Sequence, residues 1–525
     1  MTKINNSNVF VKRNNVSLYK INLLHMKNKL LLLSAIVILI AGAGTAQIKN
    51  LYNFTDNEQP YGSLTQSGNL FYGMTNEGGD SGRNEGYIFS INRNGTGFKQ
   101  IWNFYDSGTI AFHANGARPD GSLIVSGNKL YGMTSGGGAN YRGVVFSINT
   151  DGSGYKDLWD FNDTTNYIGN STGEYPLGAL LLLRGRLYGM TQLGGYGNDG
   201  LIFSIDTAGG GFKDILDFSQ TANGVLPYGS LTLSGGKFFG TTIGGNCEDC
   251  RTLTSGYGYG NVFSIDTDGT HYKDVYVFAG VNGRDPSGDL TLSQDGTRLY
   301  GTTYTGGPLG SGSYGVIFGV DTNGADFRVL HNFNDTDGAY TETTLTLSGK
   351  TLYGTANEGG TFLAYSHGSG YGTIYSLDTT GNDFNVIYDF NLSNGSGPWG
   401  KLALVGDSLY GMTSQGGFDG SGEIFGCVLP PVTTGIQNIS YTNGVSVYPN
   451  PTSGQFTVSI KNSEAGTTNQ VEVYNVMGQE VYSQSNIQNP TFNIDLSSQA
   501  SGVYMYRIFT LDGNAIGEGK IIIQK

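Results

Sequence analysis

Leu130-Tyr-Gly-Met-Thr134, followed by Gly137-Gly138 and Val145-Phe-Ser-Ile148, is one copy of a phrase that occurs seven times in the chain. Its core glycine falls at Gly73, Gly132, Gly189, Gly240, Gly301, Gly354 and Gly411, a spacing of 51 to 61 residues. A period of this size marks a repeat architecture. In the unit 121–161, residues 123–126 form a short apolar stretch, and Gly127-Asn128 suits a tight hairpin turn because both residues tolerate positive φ. Residues 130–134 are a second stretch, and a glycine-rich loop leads to a third at 144–148. After the turn 149–154, residues 155–161 close the unit with an imperfect alternation, apolar at Tyr155, Leu158, Trp159 and Phe161. Four short runs rich in β-branched and aromatic residues, split by Gly, Asn and Asp, predict a four-stranded antiparallel meander. No comparable window shows a 3.6-residue period, so helix is not expected. One such sheet cannot bury both faces alone. Copies packed radially can, which is the propeller solution, with the first strand nearest the axis.

First, second and third strands occur seven times, but the fourth-strand ending occurs only at Phe104, Phe161, Phe218, Phe278, Phe333 and Phe390. The seventh unit stops at Cys427 and soon meets Pro430-Pro431. The missing pattern stands before the first unit, at residues 48–54. The expectation is an all-β, seven-bladed β-propeller over 47–430 closed by this N-terminal strand, which removes two exposed sheet edges. A linker at 431–440 follows. Seven short strands over 441–525, several with period-two alternation, then predict a small C-terminal β-sandwich.

The chain has 525 residues, with 85 glycines, 34 tyrosines and only 14% charged residues, as a turn-rich all-β protein would. Its net charge of -13 and lack of a basic stripe argue against a nucleic-acid partner. Met26-Lys-Asn-Lys29, the apolar run 30–41 and the small residues Gly44-Thr-Ala46 read as a secretory signal within a region 1–46, the apolar run being short for a membrane span. Met26 is an alternative start, which would leave residues 1–25 outside the translated chain.

Tyr448-Pro-Asn-Pro-Thr-Ser-Gly454, Val473-Tyr-Asn-Val-Met-Gly478 with Gln479-Glu-Val481, Gly502-Val-Tyr504, and the ending Gly517-Glu-Gly-Lys520 to Lys525 carry one resemblance. In order and extent they resemble the type A C-terminal sorting domain of type IX secretion. The resemblance implies the type IX secretion machinery as partner and a secreted or cell-surface address, with Tyr448, Pro449, Asn450, Pro451, Gly454, Gly478, Gly502, Tyr504, Lys520 and Lys525 as the sorting motif. The seven Leu-Tyr-Gly-Met-Thr, Gly-Gly and Phe-Ser-Ile phrases are similar to the GloVer-type tandem repeat of secreted bacterial proteins. The fourth unit departs at Phe238-Phe-Gly-Thr-Thr242, and the sixth at Thr355-Ala356 and Tyr375. This resemblance speaks to fold and assigns no activity.

In such a meander, loops from strand two to three and from blade to blade share one face. These are the long, variable ones, including 105–119, 162–176, 246–259 and 361–371. Variable loops on a rigid scaffold are where sites are built. On that face one residue per blade stands just before the innermost strand, followed by a glycine except at Glu342, which Thr343 follows: Tyr61, Asp120, Leu177, Tyr228, Ser287, Glu342 and Trp399. A proline stands before each except Glu342, which follows Thr341. Two tyrosines, a tryptophan and two carboxylates at a channel mouth suit a sugar, with C–H faces on the rings and hydroxyls on Asp and Glu. The bland alternative is that these side chains cap strand ends and pack on their prolines. A binding or adhesion module, with a glycan as candidate ligand, is favoured over an enzyme. The alternatives are a polysaccharide hydrolase or lyase using Asp120 and Glu342, or a structural surface protein without a small ligand. No catalytic residue, metal site or cofactor is assigned, and a monomer is expected. The Asp-Thr-Asp-Gly turns lack the spaced oxygens of a calcium loop, although a structural calcium ion elsewhere stays open. Cys247 and Cys250 are a candidate disulfide in an exported protein. Cys427 is expected to be buried.

Overall fold

The computed structural model describes residues 46–55, 57–79, 84–104, 115–162, 172–219, 222–245, 258–308, 313–362, 370–429, 445–460, 469–475, 479–510 and 515–525. The proposed signal, the linker and the Cys247–Cys250 pair lie outside them, as do most of the long loops. The chain falls into two compact units, Met1–Pro430 and Pro431–Lys525. Among the described residues all regular structure is β.

The first unit contains seven antiparallel sheets on one plan. In the second, Ile124–Ser126, Lys129–Thr134, Val144–Asn149 and Lys156–Asp160 pair in chain order. The register sets the repeat glycine opposite an aromatic ring every time: Gly73 with Phe89, Gly132 with Phe146, Gly189 with Phe203, Gly240 with Phe263, Gly301 with Phe318, Gly354 with Tyr375 and Gly411 with Phe425. All seven rings are fully buried. A Cβ built on Gly132 would stand 2.6 Å from the Phe146 ring and 2.9 Å from Leu123, so the glycine is required by the ring lying across it.

The imperfect alternation in the fourth strand has a local cause. Val145 pairs with Trp159 but Phe146 pairs with Asp157, so Leu158 is the extra residue of a β-bulge. The same bulge recurs in the first, third, fourth, fifth and sixth sheets. A bulge bends its strand and shifts the side-chain parity. Beyond it, Phe161 donates its N–H to Gly143 O at 3.1 Å, as Phe104 does to Gly86 at 3.0 Å. The strand read from residues 48–54 runs Gln47–Asn53 and pairs antiparallel with Glu423–Val428 of the last sheet. Phe54 repeats the terminal bond there, to Gly422 O at 3.0 Å.

Neighbouring sheets are tied at both ends of their strands. Near the first strands, Ser63 N–H donates to Ser122 Oγ (2.8 Å), Ala179 to Ser230 Oγ (2.7 Å), Ser230 to Asp289 Oδ1 (2.6 Å) and Asp289 to Thr344 Oγ1 (3.2 Å). Lys401 N–H then donates to Ser63 Oγ at 2.8 Å, which joins the last repeat to the first. At the fourth strands, stacked rings bridge consecutive sheets: Trp102 on Tyr155, Trp159 on Phe212, Tyr276 on Phe327 and His331 on Phe384. Tyr52 of the closing strand stacks on Phe98 of the first sheet at 3.7 Å. The fold of this unit is β-propeller-like.

Two sheets are more elaborate than the repeat pattern predicts. The fourth has an additional strand, Val225–Pro227, on an extended second strand, Lys237–Gly244, and the seventh opens with the ten-residue strand Ser396–Val405.

The second unit has a three-stranded sheet, Val445–Tyr448, Gln455–Ile460 and Thr491–Asp495, and a four-stranded one, Glu480–Ile487, Asn469–Asn475, Gly502–Thr510 and Ala515–Ile523. One core joins them, containing Phe456, Val458, Val471, Val473, Ile494, Ile508 and Ile521. The sorting-motif residues serve the backbone. Asn450 donates to Lys520 O at 2.8 Å and accepts from Ile522 N at 2.9 Å, and Tyr504 donates to Ala500 O at 2.9 Å. Gly454 has φ 122°, a conformation that excludes a side chain. Lys525 N–H reaches Ser501 Oγ at 3.1 Å. Tyr448 is exposed, and Pro449 and Pro451 flank Asn450. Gly502 opens the strand that carries Tyr504, while Gly478 lies outside the described residues.

Gly132→Ala is expected to cost about 1–3 kcal/mol by overpacking. Phe146→Leu in the same chain should recover part of that loss. Denaturant unfolding of the four-member mutant cycle measures both. An alanine at 132 without effect would show that the ring does not depend on the glycine.

Candidate functional site

The candidate rim residues are placed by how the repeats meet. The prolines seen in the sequence pack on the neighbouring repeat. A Cβ on Gly143, at φ 99°, would lie 3.0 Å from Pro176 Cδ, one on Gly200 2.6 Å from Pro227, and one on Gly260 2.7 Å from Pro286. In the sixth repeat Thr341 takes the proline's place and donates its hydroxyl to Thr303 O at 3.2 Å. The next residue is thereby held at the rim, and in every repeat but the sixth, where Thr343 follows Glu342, a glycine after it lets adjacent backbones approach. A Cβ on Gly178 would meet Gly229 O, and one on Gly400 would lie 2.6 Å from Gly62 O.

Tyr61, Asp120, Leu177, Tyr228, Ser287, Glu342 and Trp399, one from each repeat, line a single cavity of about 250 Å³. Three of them have partners other than their own prolines. Tyr61 and Trp399 meet edge to face, with centroids 5.4 Å apart, and the Tyr61 hydroxyl donates to Gln59 Oε1 at 2.6 Å. Asp120 Oδ1 accepts from Asn76 Nδ2 at 2.6 Å. Burial raises the Asp120 carboxyl above its ordinary range, opposed by hydrogen bonds from Ser135 and Asn76. Glu342 has no hydrogen-bond partner among the described residues, and burial alone pushes it up to about 7. Burial also raises the Tyr228 hydroxyl, and the charges of Glu342 and Asp120 add to the effect. Tyr228 therefore stands in the field of both carboxylates, which come from the second and sixth repeats. Ser287 is 4% exposed, and its Oγ has no partner.

Sequence reasoning missed Asp289, which lines the same cavity and accepts from Ser230 N–H. It is aligned with Ser63, Ser122, Ala179, Ser230, Thr344 and Lys401, so superposing the repeats would have exposed it. Asn76 and Ser135 carried no such signal, because they are brought to Asp120 from loops. The remaining candidates for chemistry stay apart. His331 stacks on Phe384 and bonds Asp337 at 3.1 Å, while His271 is exposed beside Asp266. His25, His113 and His367 lie outside the described residues. Among the described residues no three His, Cys, Asp or Glu side chains converge to hold a metal. In the Asp-rich turns, Asp151 accepts Ser153 N–H at 2.9 Å and Asp268 accepts Thr270 N–H at 3.0 Å, so these carboxylates serve the turn itself. Cys427 is buried, which pushes its thiol up to about 11.

Repeated all-β sheets, a shared cavity and a separate C-terminal unit define a propeller-like repeat protein with a sorting tail. The chain belongs to the Gloeobacter/Verrucomicrobia repeat family, whose model matches residues 34–254 and 250–425. Residues 446–524 match the secretion system C-terminal sorting domain, and the protein is accordingly exported by the type IX machinery to the cell surface or the medium. No curated protein matches the chain. Similar solved structures include the extracellular domain of a one-component system from B. thetaiotaomicron, at 12% identity and TM-score 0.44, over 90% of this chain and 58% of that one. An oligogalacturonate lyase from Vibrio parahaemolyticus matches at 10% identity and TM-score 0.44, over 74% of this chain and 99% of its own. The β-propeller domain of the Trilobed protease from Pyrococcus furiosus matches at 12% identity and TM-score 0.38, over 70% and 95%.

Glu342 titrates near 7 in the fold, against 4.5 for the free side chain. Between these values the folded chain keeps a proton that the unfolded chain has released, so stability falls as pH rises through this window and levels off above it. Glu342→Gln should therefore gain up to about 3 kcal/mol over the parent at about pH 8 and nothing at about pH 4. Urea unfolding at both pH values checks this, and a pH-independent difference would contradict a buried, unpaired carboxyl.

Proposed function

We propose that the first unit is a seven-bladed β-propeller closed by the strand Gln47–Asn53, and that the second is a small β-sandwich serving as the sorting domain. Residues 1–46 act as the export signal and 431–440 as the linker. The propeller works as a monomeric binding module whose ligand, a glycan, docks at the channel mouth. The observation that carries this is the convergence of all seven rim positions on one cavity. Three aromatic rings there offer stacking surfaces, and Asp120, Glu342 and Ser287 offer hydrogen-bonding groups not satisfied by one another. A concave site with a few convergent polar groups is the usual form of a small-ligand site.

A second reading has one observation in its favour. A carboxyl near 7 suits general acid–base catalysis, so Glu342 could serve a polysaccharide hydrolase or lyase. It requires Glu342→Gln to abolish turnover on some polysaccharide.

Glycan-array screening followed by calorimetry tests the binding reading. Trp399→Ala and Tyr228→Ala are each expected to weaken the best ligand at least about tenfold, or about 1.4 kcal/mol. An array without hits, or unchanged affinity in both variants, would contradict it.

A further inference from the structure

The channel mouth carries one sign of charge. Asp120, Asp289 and Glu342 line it, and among the described residues no lysine, arginine or histidine does. A cleft lined by a single sign focuses its potential on whatever enters. Tyr61, Tyr228 and Trp399 line it as well, and any ring face they turn to a ligand adds to the same preference, because an aromatic face is the negative part of the ring and attracts cations.

A second observation concerns Ser287. It lines the cavity, and its Oγ is buried and unpartnered. Buried hydroxyls are ordinarily satisfied, and an orphan calls for an explanation. The Glu342 carboxyl is likewise without a partner among the described residues, whereas Asp120 is held by Asn76 and Asp289 by Ser230 N–H. A bare metal ion is a poor answer, since among the described residues no three ligating side chains converge. The complement has to be a larger molecule that brings a positive charge, hydroxyls and an apolar face together.

Resting on the glycan reading, we propose that the ligand is a cationic saccharide, an amino sugar whose free ammonium group pairs with Glu342. The Ser287 hydroxyl bonds to a hydroxyl of the same ligand, and the aromatic rings receive its C–H face. The acetylated form of that sugar loses the charge and binds weakly. A uronic acid is the disfavoured ligand, because its carboxylate would enter among three other carboxyls with no cation among the described lining residues to meet it.

The test is calorimetry on the full chain at about pH 7, where the Glu342 carboxyl is partly ionised, with oligosaccharides matched in length: glucosamine, N-acetylglucosamine, glucose and galacturonate. A lysine oligopeptide supplies the same charge without a sugar. The expected result is at least tenfold tighter binding of the glucosamine oligomer than of its acetylated or glucose counterparts. Galacturonate should not bind, and the preference should shrink in 0.5 M salt. Glu342→Gln should erase the tenfold ratio, and because that ratio is measured within one variant it does not depend on the variant's stability. Ser287→Ala should weaken the glucosamine oligomer severalfold while leaving the ratio in place. Equal binding of neutral sugars, or any binding of galacturonate, would overturn the inference and leave the glycan reading standing. Binding of the peptide as tightly as glucosamine would overturn the saccharide assignment. Failure of every sugar would remove the glycan reading and the inference together.

Discussion

The architecture depends on an aromatic ring lying across a glycine. In each of the seven sheets the second strand leaves a gap at the repeat glycine, and the ring of the residue directly opposite on the third strand fills it. The pair does three things at once. It buries a large apolar surface inside a single sheet, it pins the register of the two central strands, and it leaves that part of the sheet flat enough to pack. A one-residue slip would put the ring over a side chain and turn the apolar face outward. The sixth sheet keeps the device with Tyr375, whose ring still crosses Gly354. Identical centres allow the sheets to pack on one another, and the terminal Phe-to-Gly bond then fixes each fourth strand in the same place, including the one supplied from the other end of the array.

The mouth is a product of that packing rather than a separate invention. Pro119, Pro176, Pro227, Pro286 and Pro398 each fill the space beside a positive-φ glycine of the preceding repeat, and outside the sixth repeat the glycine after the rim residue brings adjacent backbones together. The rim residue is thus fixed in place with its side chain left over. Seven equivalent positions are free to vary, and they carry Tyr, Asp, Leu, Tyr, Ser, Glu and Trp. The same logic explains why Glu342 and Ser287 tolerate their surroundings. Neither position is needed to hold the sheets, so polarity there is not selected against by the core. The cost of a half-buried carboxyl is borne at one site while the scaffold supplies the stability.

Much of this is legible in the residues alone. The glycine period marks the units, the surplus fourth strand before the first repeat points to its pairing with the last, and Pro-x-Gly marks the rim in every repeat but the sixth. The bulge was visible only as a faulty alternation at Leu158 and Trp159, because an inserted residue changes parity without changing composition. The extra strand Val225–Pro227 escaped because a three-residue strand ending in proline has no periodicity to detect. Asn76 and Ser135 escaped because loop residues reach Asp120 by tertiary geometry. That Ser287 lacks a partner is a property of three-dimensional neighbours and has no signature in one dimension.

The central claim is that the closed cycle of sheets presents one ligand site at its mouth. The most direct test is a crystal structure of the chain soaked with a mixed pool of amino, neutral and acidic oligosaccharides. The account predicts ordered density between Tyr61, Tyr228 and Trp399, touching Glu342 and Ser287, with the first and last repeats joined through Lys401 and Ser63. Sugar density bound elsewhere on the surface, with Tyr61 and Trp399 closing over an empty mouth, would contradict it.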